Sequence, residues 1–478
     1  MTYTHAFLRR GALRGAVRGA AAGSLAVAAS ALSACDLNKT LHVTDVDVAT
    51  PGAVANKAGL PVVYAGGRAD FSVAFGGTDH AVTMPGLLTD ELRDIDTFPT
   101  RIEVDQRNIT TVAGGLQTTN GTIGTWYRNM HQARASLERA TAAFAQFDAS
   151  NPQRAELHAL DGFVYVMFAE DFCNGIAFSK LDETGATTFG APQTTTQVLD
   201  RAIAQFDSAT AVAKAGTPEA YLAQLGKARA LLDQNKVAEA AVAAASVPVT
   251  FQYQVAYSEN SNRENNGVHV NTGPVSKRFA VADKDGINGL AFRTLGWNQA
   301  TGTGDIRVRW YQSGIGQDGA SPAYYTLKYA NRSAPITLAD GIEAQLIIAE
   351  NQLKNNDVTG YLKTLNDLRA NTTLLGRAPI TQSGQTATAL PALTDPGTVA
   401  GRVDQLFAER AFWLYLTGHR LGDMRRLIKY YGRNAESVFP TGTYTGAAGG
   451  TFGKDVNFPV YVDEQNNTAA PQCTDRNP

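Results

Sequence analysis

The sequence predicts a mainly α-helical fold of antiparallel helix pairs, packed like tetratricopeptide repeats, with one loop-rich and partly β excursion. Apolar residues recur at helical spacing through residues 118–247. Between about 250 and 333 the chain changes to short alternating runs separated by Gly, Asn and Ser, which are typical of β-hairpins and loops. Helical spacing returns in residues 334–478, between further loops. The strict tetratricopeptide consensus of about 34 residues does not fit, so the prediction concerns packing only.

The first 34 residues have the composition of an export signal. Before Asp36 the chain carries four arginines and no acidic residue, and residues 19–34 are small and apolar. This segment is shorter than the roughly 20 apolar residues that span a bilayer comfortably. It ends in Leu32-Ser33-Ala34-Cys35, which resembles the lipobox of bacterial lipoproteins. The resemblance implies that residues 1–34 are removed and that Cys35 is acylated. The alternative is an ordinary secretory signal followed by a chance cysteine.

Residues 51–478 are predicted to form a single domain, which an extended, lipid-anchored tether of residues 35–50 connects to the membrane. Removal of the leader takes away four arginines and moves the net charge from −2 to −6. A mildly acidic surface offers no electrostatic attraction for nucleic acid or anionic lipid. The hydrophobic content of 44% and the charged content of 18% are ordinary for a globular chain with a large core.

The helix pairs are predicted from faces of apolar residues. Residues 221–232 and 237–245 form one pair, which Pro248 ends. Three earlier helices each present one face, and the members of these faces are Trp126, Met130, Ala133 and Leu137; Leu157, Leu160, Val164 and Phe168; and Val198, Ala202 and Phe206.

Strands are predicted in the excursion. Residues 247–267 alternate between apolar and polar side chains before they break into Asn, Ser and Gly, and residues 305–313 form another strand-like run. Two more loop-rich stretches follow at 372–396 and 441–453. Loops on a rigid helical base are where binding residues usually lie.

Residues 404–427, DQLFAERAFWLYLTGHRLGDMRRL, predict two helices that meet at a corner. Two helical stripes lie on either side of Gly418, a residue type that can end a helix in a left-handed turn. We interpret the segment as an ion-paired helix corner in preference to a catalytic cluster. The ionic residues that flank the turn are Glu409, Arg410, Arg420, Asp423, Arg425 and Arg426.

Two cysteines remain besides Cys35. An exported protein meets an oxidising compartment, where Cys173 and Cys473 are candidates for a disulfide that would join the C-terminal tail to the early helices. Two independent buried thiols are the alternative. Two cysteines without nearby histidines do not make a zinc site.

The corner segment also resembles the late helical motif of the SusD/RagB family, with Glu-Arg, an aromatic run, Gly-His-Arg and Asp-x-Arg-Arg. Residues 335–370 are similar to a second family pattern, a Glu-Ala-x-Leu-x-x-Ala-Glu helix followed by Leu-Asn-x-Leu-Arg. Asn457-Phe458-Pro459-Val460 resembles the closing Phe-Pro-Ile-Pro element but lacks its second proline. The resemblance spans nearly the whole chain. It implies a SusD-like helical fold and a surface-exposed, lipid-anchored nutrient-binding protein of the outer membrane, whose partner is a SusC-like TonB-dependent transporter.

No catalytic constellation, cofactor site or metal site is expected. Gly314-x-Gly316-x-x-Gly319 has the letters of a dinucleotide fingerprint, but a strand-like run follows it instead of a helix. Residues 283–289 resemble a calcium loop, yet the third ligand is out of register and no Glu closes the loop. The adjacent carboxylates Asp90-Glu91 and Glu170-Asp171 point apart and do not flank a bond.

Recognition is therefore the expected function, with a glycan or an oligopeptide as the ligand. The apolar faces of a pyranose pack on aromatic rings, and its hydroxyls bond to polar side chains. Trp126 and Trp413 lie on helical stripes and are assigned to the core. The candidates for ligand contact come from the loops and the excursion, and they are Phe98, Arg101, Trp297, Trp310, Tyr311, Tyr324 and Tyr325.

Three functional hypotheses follow. The first is a surface lipoprotein that binds an oligomeric nutrient and acts as a lid over its partner transporter. The second is a surface glycan hydrolase, which needs two separated carboxylates in one cleft. The third is a helical-repeat scaffold that binds only protein. The first and third differ in whether Trp297, Trp310 and Tyr311 converge on one exposed surface.

Overall fold

Helices form about half of the structure, a computed structural model that describes residues 56–181, 186–377, 387–467 and 473–478. The leader, Cys35 and the tether lie outside the described residues. Residues Asn56–Pro478 form one compact unit. Across the described ranges, the helices lack the combination of length and apolar character that a membrane span requires.

Sixteen α-helices occur among the described residues. The helices that precede the excursion are α1 (Leu60–Gly76), α2 (Thr83–Leu88), α3 (Pro99–Asp105), α4 (Gly121–Phe147), α5 (Gln153–Asp171), α6 (Thr195–Val212), α7 (Pro218–Asp233) and α8 (Val237–Ala244). The excursion and the C-terminal part contain α9 (Gly267–Thr272), α10 (Phe292–Leu295), α11 (Gly341–Lys354), α12 (Val358–Ala370), α13 (Thr372–Leu375), α14 (Val399–Trp413), α15 (Arg420–Tyr431) and α16 (Ala435–Val438).

Several of these helices begin where a side chain caps the first turn. Asn120 accepts hydrogen bonds from the backbone N–H groups of Thr122 and Ile123 at the start of α4. Thr194 and Gln197 form a reciprocal capping box on α6. Asp340 caps α11 in the same general way. Such caps satisfy the backbone donors that a helix start leaves open, so the polar residues in the sequence locate these helix starts.

Successive helices pack against one another. α4, α5, α6 and α7 each contact the next helix in the chain, α1 lies on α4, and α8 contacts α11. The apolar faces that the sequence predicts for α4, α5 and α6 are all buried. The prediction of a mainly helical fold with stacked helix pairs is therefore confirmed.

Glycines permit the close approach of α5, α6 and α7. A Cβ atom on Gly162 would lie 2.7 Å from the Phe206 ring, and one on Gly226 would lie 2.2 Å from it. The Phe206 ring of α6 is fully buried against these two glycines. Because a larger side chain at either glycine would displace the ring, the helix spacing depends on both residues.

Fourteen short or medium strands accompany the described helices. They are β1 (Leu92–Asp94), β2 (Thr111–Val112), β3 (Gln117–Thr118), β4 (Ile176–Ala177), β5 (Lys180–Leu181), β6 (Thr187–Thr188), β7 (Pro192–Gln193), β8 (Gln252–Val255), β9 (Phe279–Val281), β10 (Gly296–Asn298), β11 (Asp305–Ile315), β12 (Pro322–Thr326), β13 (Ile336–Asp340) and β14 (Val460–Tyr461).

The strands of the excursion connect distant parts of the chain. β11 pairs with β10 in parallel and with β12 in antiparallel fashion, while β8 pairs with β13 just before α11. β9 pairs with β1, and β14 pairs with β3. The predicted β content of the excursion is confirmed, since β8 and β11 coincide with the two alternating runs of the sequence.

A disulfide joins the C-terminal tail to the end of α5. Cys173 and Cys473 are bonded, with their Cα atoms 5.5 Å apart. The backbone of the tail continues this attachment, because Asn174 and Asp475 form a β-bridge. The pairing is the one that the sequence favoured over two free thiols.

Candidate functional site

The helix corner, which consists of α14, α15 and residues 414–419 between them, buries its ionic side chains in pairs. Asp423 accepts hydrogen bonds from Arg410 Nε at 2.8 Å and from Arg426 Nη2 at 3.0 Å. Arg426 also donates to both oxygens of Glu350 in α11, at 2.6 and 3.0 Å. Burial by itself raises the pKa of Asp423. The two guanidinium groups of Arg410 and Arg426 outweigh this effect and hold that pKa well below its usual range. Gly418 has a φ of +76° and shapes the turn after α14 has already ended.

The remaining charged residues of the corner tie it to other elements. Glu409 is held by two guanidinium groups, and Arg420 is held by a carboxylate from the loop after α2. Each partner is buried or nearly so, so the corner contributes to the structure and does not form a catalytic cluster. The partners are Arg307 and Arg369 for Glu409, Asp90 for Arg420, and the carbonyl oxygens of Ala169, Glu170 and Phe172 for Arg425.

Trp297, Trp310 and Tyr325 are core residues, which corrects the expectation that they contact a ligand. Their exposed fractions are 4%, 9% and 0%. Trp310 Nε1 donates to the carbonyl oxygen of Arg293 at 2.8 Å. The five residues of β11 from Ile306 to Trp310 are all buried, so both faces of the strand are covered at this point. The side chains of these five residues alternate between the two faces of the strand, and none of them reaches solvent.

Tyr311 and Tyr324 are partly buried and pack beside the same sheet. The Tyr311 ring lies 5.5 Å from the Tyr325 ring, and the Tyr324 ring lies 5.6 Å from the Trp310 ring. The guanidinium group of Arg293 covers Tyr324 at 3.8 Å. Trp297, Trp310 and Tyr311 consequently do not converge on one exposed aromatic surface.

Arg101 is an ion-paired structural residue and not the ligand contact that the sequence suggested. Its side chain is 7% exposed and forms contacts of 2.6 Å with both Asp79 and Asp96. Asn271 donates to the same Asp79 at 2.9 Å. These bonds occupy the guanidinium group inside the protein, where it lies 4.6 Å from the centre of the Phe98 ring.

Phe98 is the one aromatic candidate that the structure leaves open to solvent, with 51% of the residue exposed. Arg278 lies 5.8 Å from the ring centre and is itself partly exposed. The turn between β11 and β12 contacts the segment that leads to Phe98, because Asp318 N donates to the Ile95 carbonyl oxygen at 3.0 Å. Ile315, at the start of this turn, is 50% exposed. We call Phe98, Arg278 and residues 315–318 the Phe98 surface.

Two buried carboxyl groups lie close to this surface. Asp105 Oδ2 accepts hydrogen bonds from Asp94 N at 2.7 Å and from the Tyr444 hydroxyl at 2.6 Å. Burial, together with the charge of Asp105, raises the pKa of Asp94 to about 8. Burial and the charge of Asp285 raise the pKa of Asp105 to about 7. The described residues contain no group of three or more His, Cys, Asp or Glu side chains placed to hold a metal.

A cavity of about 420 Å³ lies between β8–β13, the start of α11 and the turn of the helix corner. This cavity could not be predicted from the sequence, because its wall combines residues from segments more than 100 positions apart. Both acidic and basic side chains lie on the wall. Those that matter for its chemistry are Lys328, Asp340, Glu343, Arg377, Trp413 and His419.

Comparison with known proteins gives a structural likeness only. No protein-family model matches the sequence, and no curated protein is significantly similar to it. A SusD superfamily protein from Parabacteroides distasonis superimposes with a TM-score of 0.61 at 14% identity, over 87% of this chain and 98% of the other. A SusD-like carbohydrate-binding protein from Bacteroides vulgatus gives 0.58 at 14% identity, over 87% and 97%. Another protein so described, from Bacteroides fragilis, gives 0.58 at 15% identity, over 86% and 98%.

These likenesses define the class of the fold. The chain has a SusD-like fold, in which stacked helix pairs carry a partly β excursion, and the expectation of this fold is confirmed. Structural likeness at such low sequence identity shows the architecture, and it does not identify the ligand or the partner. The aromatic candidates also do not gather into one platform, so the site has to be argued from this chain's own side chains.

Proposed function

We propose that this protein is a lipid-anchored protein of the outer-membrane surface that binds a glycan or another oligomeric nutrient and delivers it to a SusC-like TonB-dependent transporter. The observation that carries the proposal is the SusD-like fold over most of the chain. The lipobox-like sequence that ends in Cys35 supports the anchor. Two of the similar structures belong to proteins described as carbohydrate-binding, which favours a glycan over a peptide.

The proposed mechanism is that of a lid. The tether holds the domain above the transporter, and the ligand binds between the domain and the barrel before the lid closes. The protein changes no covalent bond in this scheme. Asp340 and Glu343 both lie on the cavity wall, but Asp340 Oδ1 accepts from the backbone N–H groups of Ile342 and Glu343. With that carboxylate committed to capping α11, the hydrolase hypothesis has no free carboxylate pair in the described cavity.

The Phe98 surface is the proposed place of first contact with the glycan. An exposed aromatic ring packs against the apolar C–H face of a pyranose, while the neighbouring guanidinium group of Arg278 donates hydrogen bonds to its hydroxyls. The buried ion pairs of Arg101 fix the loop that carries Phe98. Because the ring is held in place before binding, little conformational entropy is lost when the ligand arrives.

The partner is tested by purification of the lipidated protein from its native envelope, with mass spectrometry of what accompanies it. A TonB-dependent barrel in a stoichiometric amount is expected. A clean preparation without any barrel would contradict the proposal and favour the hydrolase and scaffold hypotheses. A Cys35→Ala variant is the control, since it is expected to lose the membrane fraction.

The ligand contact is tested with Phe98→Ala in a screen of soluble oligosaccharides, followed by calorimetry on those that bind. Loss of one stacked ring is expected to weaken binding by about tenfold or more. Phe189→Ala is the matched control, because Phe189 is similarly exposed, at 42%, on a different part of the chain. Equal binding by both variants would place the glycan away from the Phe98 surface.

A further inference from the structure

One buried side chain anchors the hairpin of residues 442–452. An isolated β-bridge between Thr443 and Thr451 closes this hairpin. Tyr444 is buried at 5% exposed, and the other side chains of the hairpin are exposed or partly exposed. The Tyr444 hydroxyl donates a hydrogen bond of 2.6 Å to Asp105 Oδ2, at the end of α3. Because the ordering of a glycine-rich hairpin costs conformational entropy, its position depends on the bonds that attach it.

Two further hydrogen bonds connect the hairpin to β1 and to the residue after α3. Arg93 Nη2 donates to the Thr445 carbonyl oxygen at 3.1 Å, and Gln106 Nε2 donates to the Gly449 carbonyl oxygen at 2.9 Å. The first of these bonds is exposed and the second is partly buried, so water competes for the same groups. The bond from Tyr444 is fully buried, and it therefore contributes most to keeping the hairpin docked.

Asp105 belongs to a cluster of three buried carboxyl groups. Asp105, Asp94 and Asp285 are 3%, 2% and 8% exposed, and they interact electrostatically with one another. Asp94 N donates to Asp105 Oδ2 at 2.7 Å, while Asp94 Oδ2 is buried and has no hydrogen-bond partner among the described residues. A buried charge in this situation is costly, whereas a neutral carboxyl group costs much less. Burial therefore favours protons on this cluster while the hairpin is docked.

The charged groups around the cluster do not neutralise it. The other charged side chains with the strongest electrostatic effect on the three carboxyls are Arg93, Asp96, Arg101, Asp90, Asp283 and Arg293. Asp90, Asp96 and Asp283 each contact an arginine of their own. Within the described ranges this leaves Arg93 to offset three carboxyls. Arg93 is only partly buried, so water weakens its attraction.

We propose that Tyr444, Asp105 and Asp94 form a protonated latch that keeps the hairpin docked on α3 and releases it as the pH rises. In the docked state the two carboxyl groups carry protons. Loss of these protons to solvent leaves like charges in a site that contains little water. Departure of the Tyr444 side chain admits water to the carboxylates and relieves this cost. The release changes no covalent bond other than the two O–H bonds that ionise.

The direction of the pH dependence follows from the buried carboxyls. Burial raises the pKa of Asp94 to about 8 and that of Asp105 to about 7, even though the Tyr444 hydroxyl alone would lower the second value. A carboxyl group in water has a pKa near 4. The docked state consequently keeps protons that the undocked state has lost, so docking weakens from about pH 5 to pH 8 and then levels off. Each proton released can raise the opening equilibrium by up to about tenfold per pH unit.

The latch goes beyond the proposed function, since it requires neither a ligand nor a transporter. It involves β1 and α3, the two elements that flank Phe98 in the chain. The segment that carries Phe98 is fixed separately, by the ion pairs of Arg101 with Asp79 and Asp96. Absence of the latch would therefore leave the proposed ligand contact at the Phe98 surface unaffected, and the reverse also holds.

The test measures amide hydrogen exchange of the full chain at pH 6 and pH 8, as protection factors corrected for the pH dependence of the intrinsic exchange rate. The amides of Tyr444, Phe452 and Gly453 report on the hairpin, because each donates a hydrogen bond there. Their protection is expected to fall by about tenfold or more between the two pH values. The turn of residues 298–303, which a similar β-bridge closes, is the internal control and is expected to stay unchanged. Equal hairpin protection at both pH values, or a parallel loss in the control turn, would overturn the proposal.

Substitutions assign the effect to the latch. Asp94→Asn and Asp105→Asn preserve side-chain size and remove the titrating group, so each is expected to flatten the pH dependence of hairpin protection. Asp367→Asn removes an exposed carboxylate and leaves it unchanged. Tyr444→Phe is expected to lower hairpin protection at pH 6 towards the level of the native chain at pH 8. Retention of the native pH profile in both asparagine variants would overturn the proposal, and the native profile alone remains a test if a variant does not fold.

Discussion

The two ends of α11 place similar glutamates in opposite situations. Glu350 and Glu343 lie two turns apart, and both are buried, at 0% and 1% exposed. Glu350 accepts hydrogen bonds from Arg426 at 2.6 and 3.0 Å and from the Tyr431 hydroxyl at 2.6 Å. Glu343 lies 3.2 Å from His419 Nε2 and receives no hydrogen bond from a guanidinium group; although burial raises its pKa, the neighbouring His419, Arg229 and Arg410 hold it below the usual value. The first end belongs to the helix corner and the second to the cavity beside the turn of that corner.

This difference shows two ways in which the fold accommodates a buried carboxylate. At the helix corner every carboxylate is matched by a guanidinium group, so the charges stabilise a particular arrangement of helices. Glu343 instead lies 3.2 Å from His419 Nε2 and is attracted by Arg229 and Arg410 without a hydrogen bond from either guanidinium group. The contrast between a tightly and a loosely matched carboxylate motivates the predictions below.

The largest effect is expected when the matched end is broken. Arg426→Ala leaves Glu350 buried without its guanidinium partner and leaves Asp423 with Arg410 alone, which is expected to lower the free energy of unfolding by about 3–5 kcal/mol. Urea denaturation monitored by circular dichroism measures this change. A loss below about 1 kcal/mol would mean that water or other donors replace the guanidinium group, and that these buried ion pairs contribute little to stability.

The same substitution at both ends of α11 tests the comparison directly. Glu350→Gln loses charge-assisted hydrogen bonds and is expected to reduce the free energy of unfolding by about 1.5–3 kcal/mol. Glu343→Gln loses no guanidinium hydrogen bond, only the attraction of His419, Arg229 and Arg410, and is expected to reduce it by less than about 1 kcal/mol. Denaturation of the two variants under one set of conditions gives both numbers. Equal losses would show that this attraction stabilises Glu343 as much as hydrogen bonds stabilise Glu350.

The dependence of stability on pH is expected to come from poorly solvated carboxyls and not from the paired ones. Burial raises the pKa of Asp94 and of Glu91 to about 8 each. Between pH 7 and 8 the folded state releases protons that the unfolded state, with carboxyl pKa values near 4, has already lost. Stability consequently falls as pH rises, by about 1 kcal/mol for each such carboxyl.

Thermal denaturation across this pH range checks that prediction. Asp94→Asn is expected to flatten the slope, while Asp367→Asn, which removes an exposed carboxylate, leaves the slope unchanged. Lys328 acts in the opposite direction, because burial lowers its pKa to about 8 and its loss of a proton favours the folded state at higher pH. A stability that rises from pH 7 to 8 would contradict the assignment of protonated buried carboxyls.

The smallest effect is expected at an exposed ion pair. Lys363 and Asp367 are 2.6 Å apart on α12, and their side chains are 70% and 65% exposed. Lys363→Ala is expected to lower the free energy of unfolding by no more than about 0.5 kcal/mol, and less in high salt. Chemical denaturation at low and high ionic strength tests this value. A loss comparable with that of Arg426→Ala would mean that burial does not explain why buried and exposed ion pairs differ in their contribution to stability.

The sequence located the helices well because helix formation is largely local. Apolar spacing placed α4, α5 and α6, and Pro248 marked the end of the α7–α8 pair. The ionic residues of the corner were also recognisable, since Arg410 and Asp423 lie on helices that adjoin in the chain. The partners Glu350 and Asp90 could not be assigned, because they come from 76 and 330 positions away.

The aromatic site was harder to predict because exposure is not a local property. Residues from Ile306 to Trp310 alternate between apolar and basic side chains, a pattern that predicts one solvent-facing side. In the structure Arg307 is buried too, because Glu409 from the helix corner accepts its hydrogen bonds. Trp310 lies on the other face of the strand, where the Tyr324 ring and the backbone of Arg293 contact it.

The sequence by itself determined the helical architecture, the strand-forming excursion and the ion-rich corner, because periodicity and capping act over a few residues. Only the tertiary structure decided which aromatic rings remain exposed, which carboxylates find a guanidinium partner and where the cavity opens. Those outcomes depend on surfaces brought together from distant segments. For that reason Phe98 stays exposed and Glu343 faces His419 instead of a guanidinium group, and the local sequence predicts neither fact.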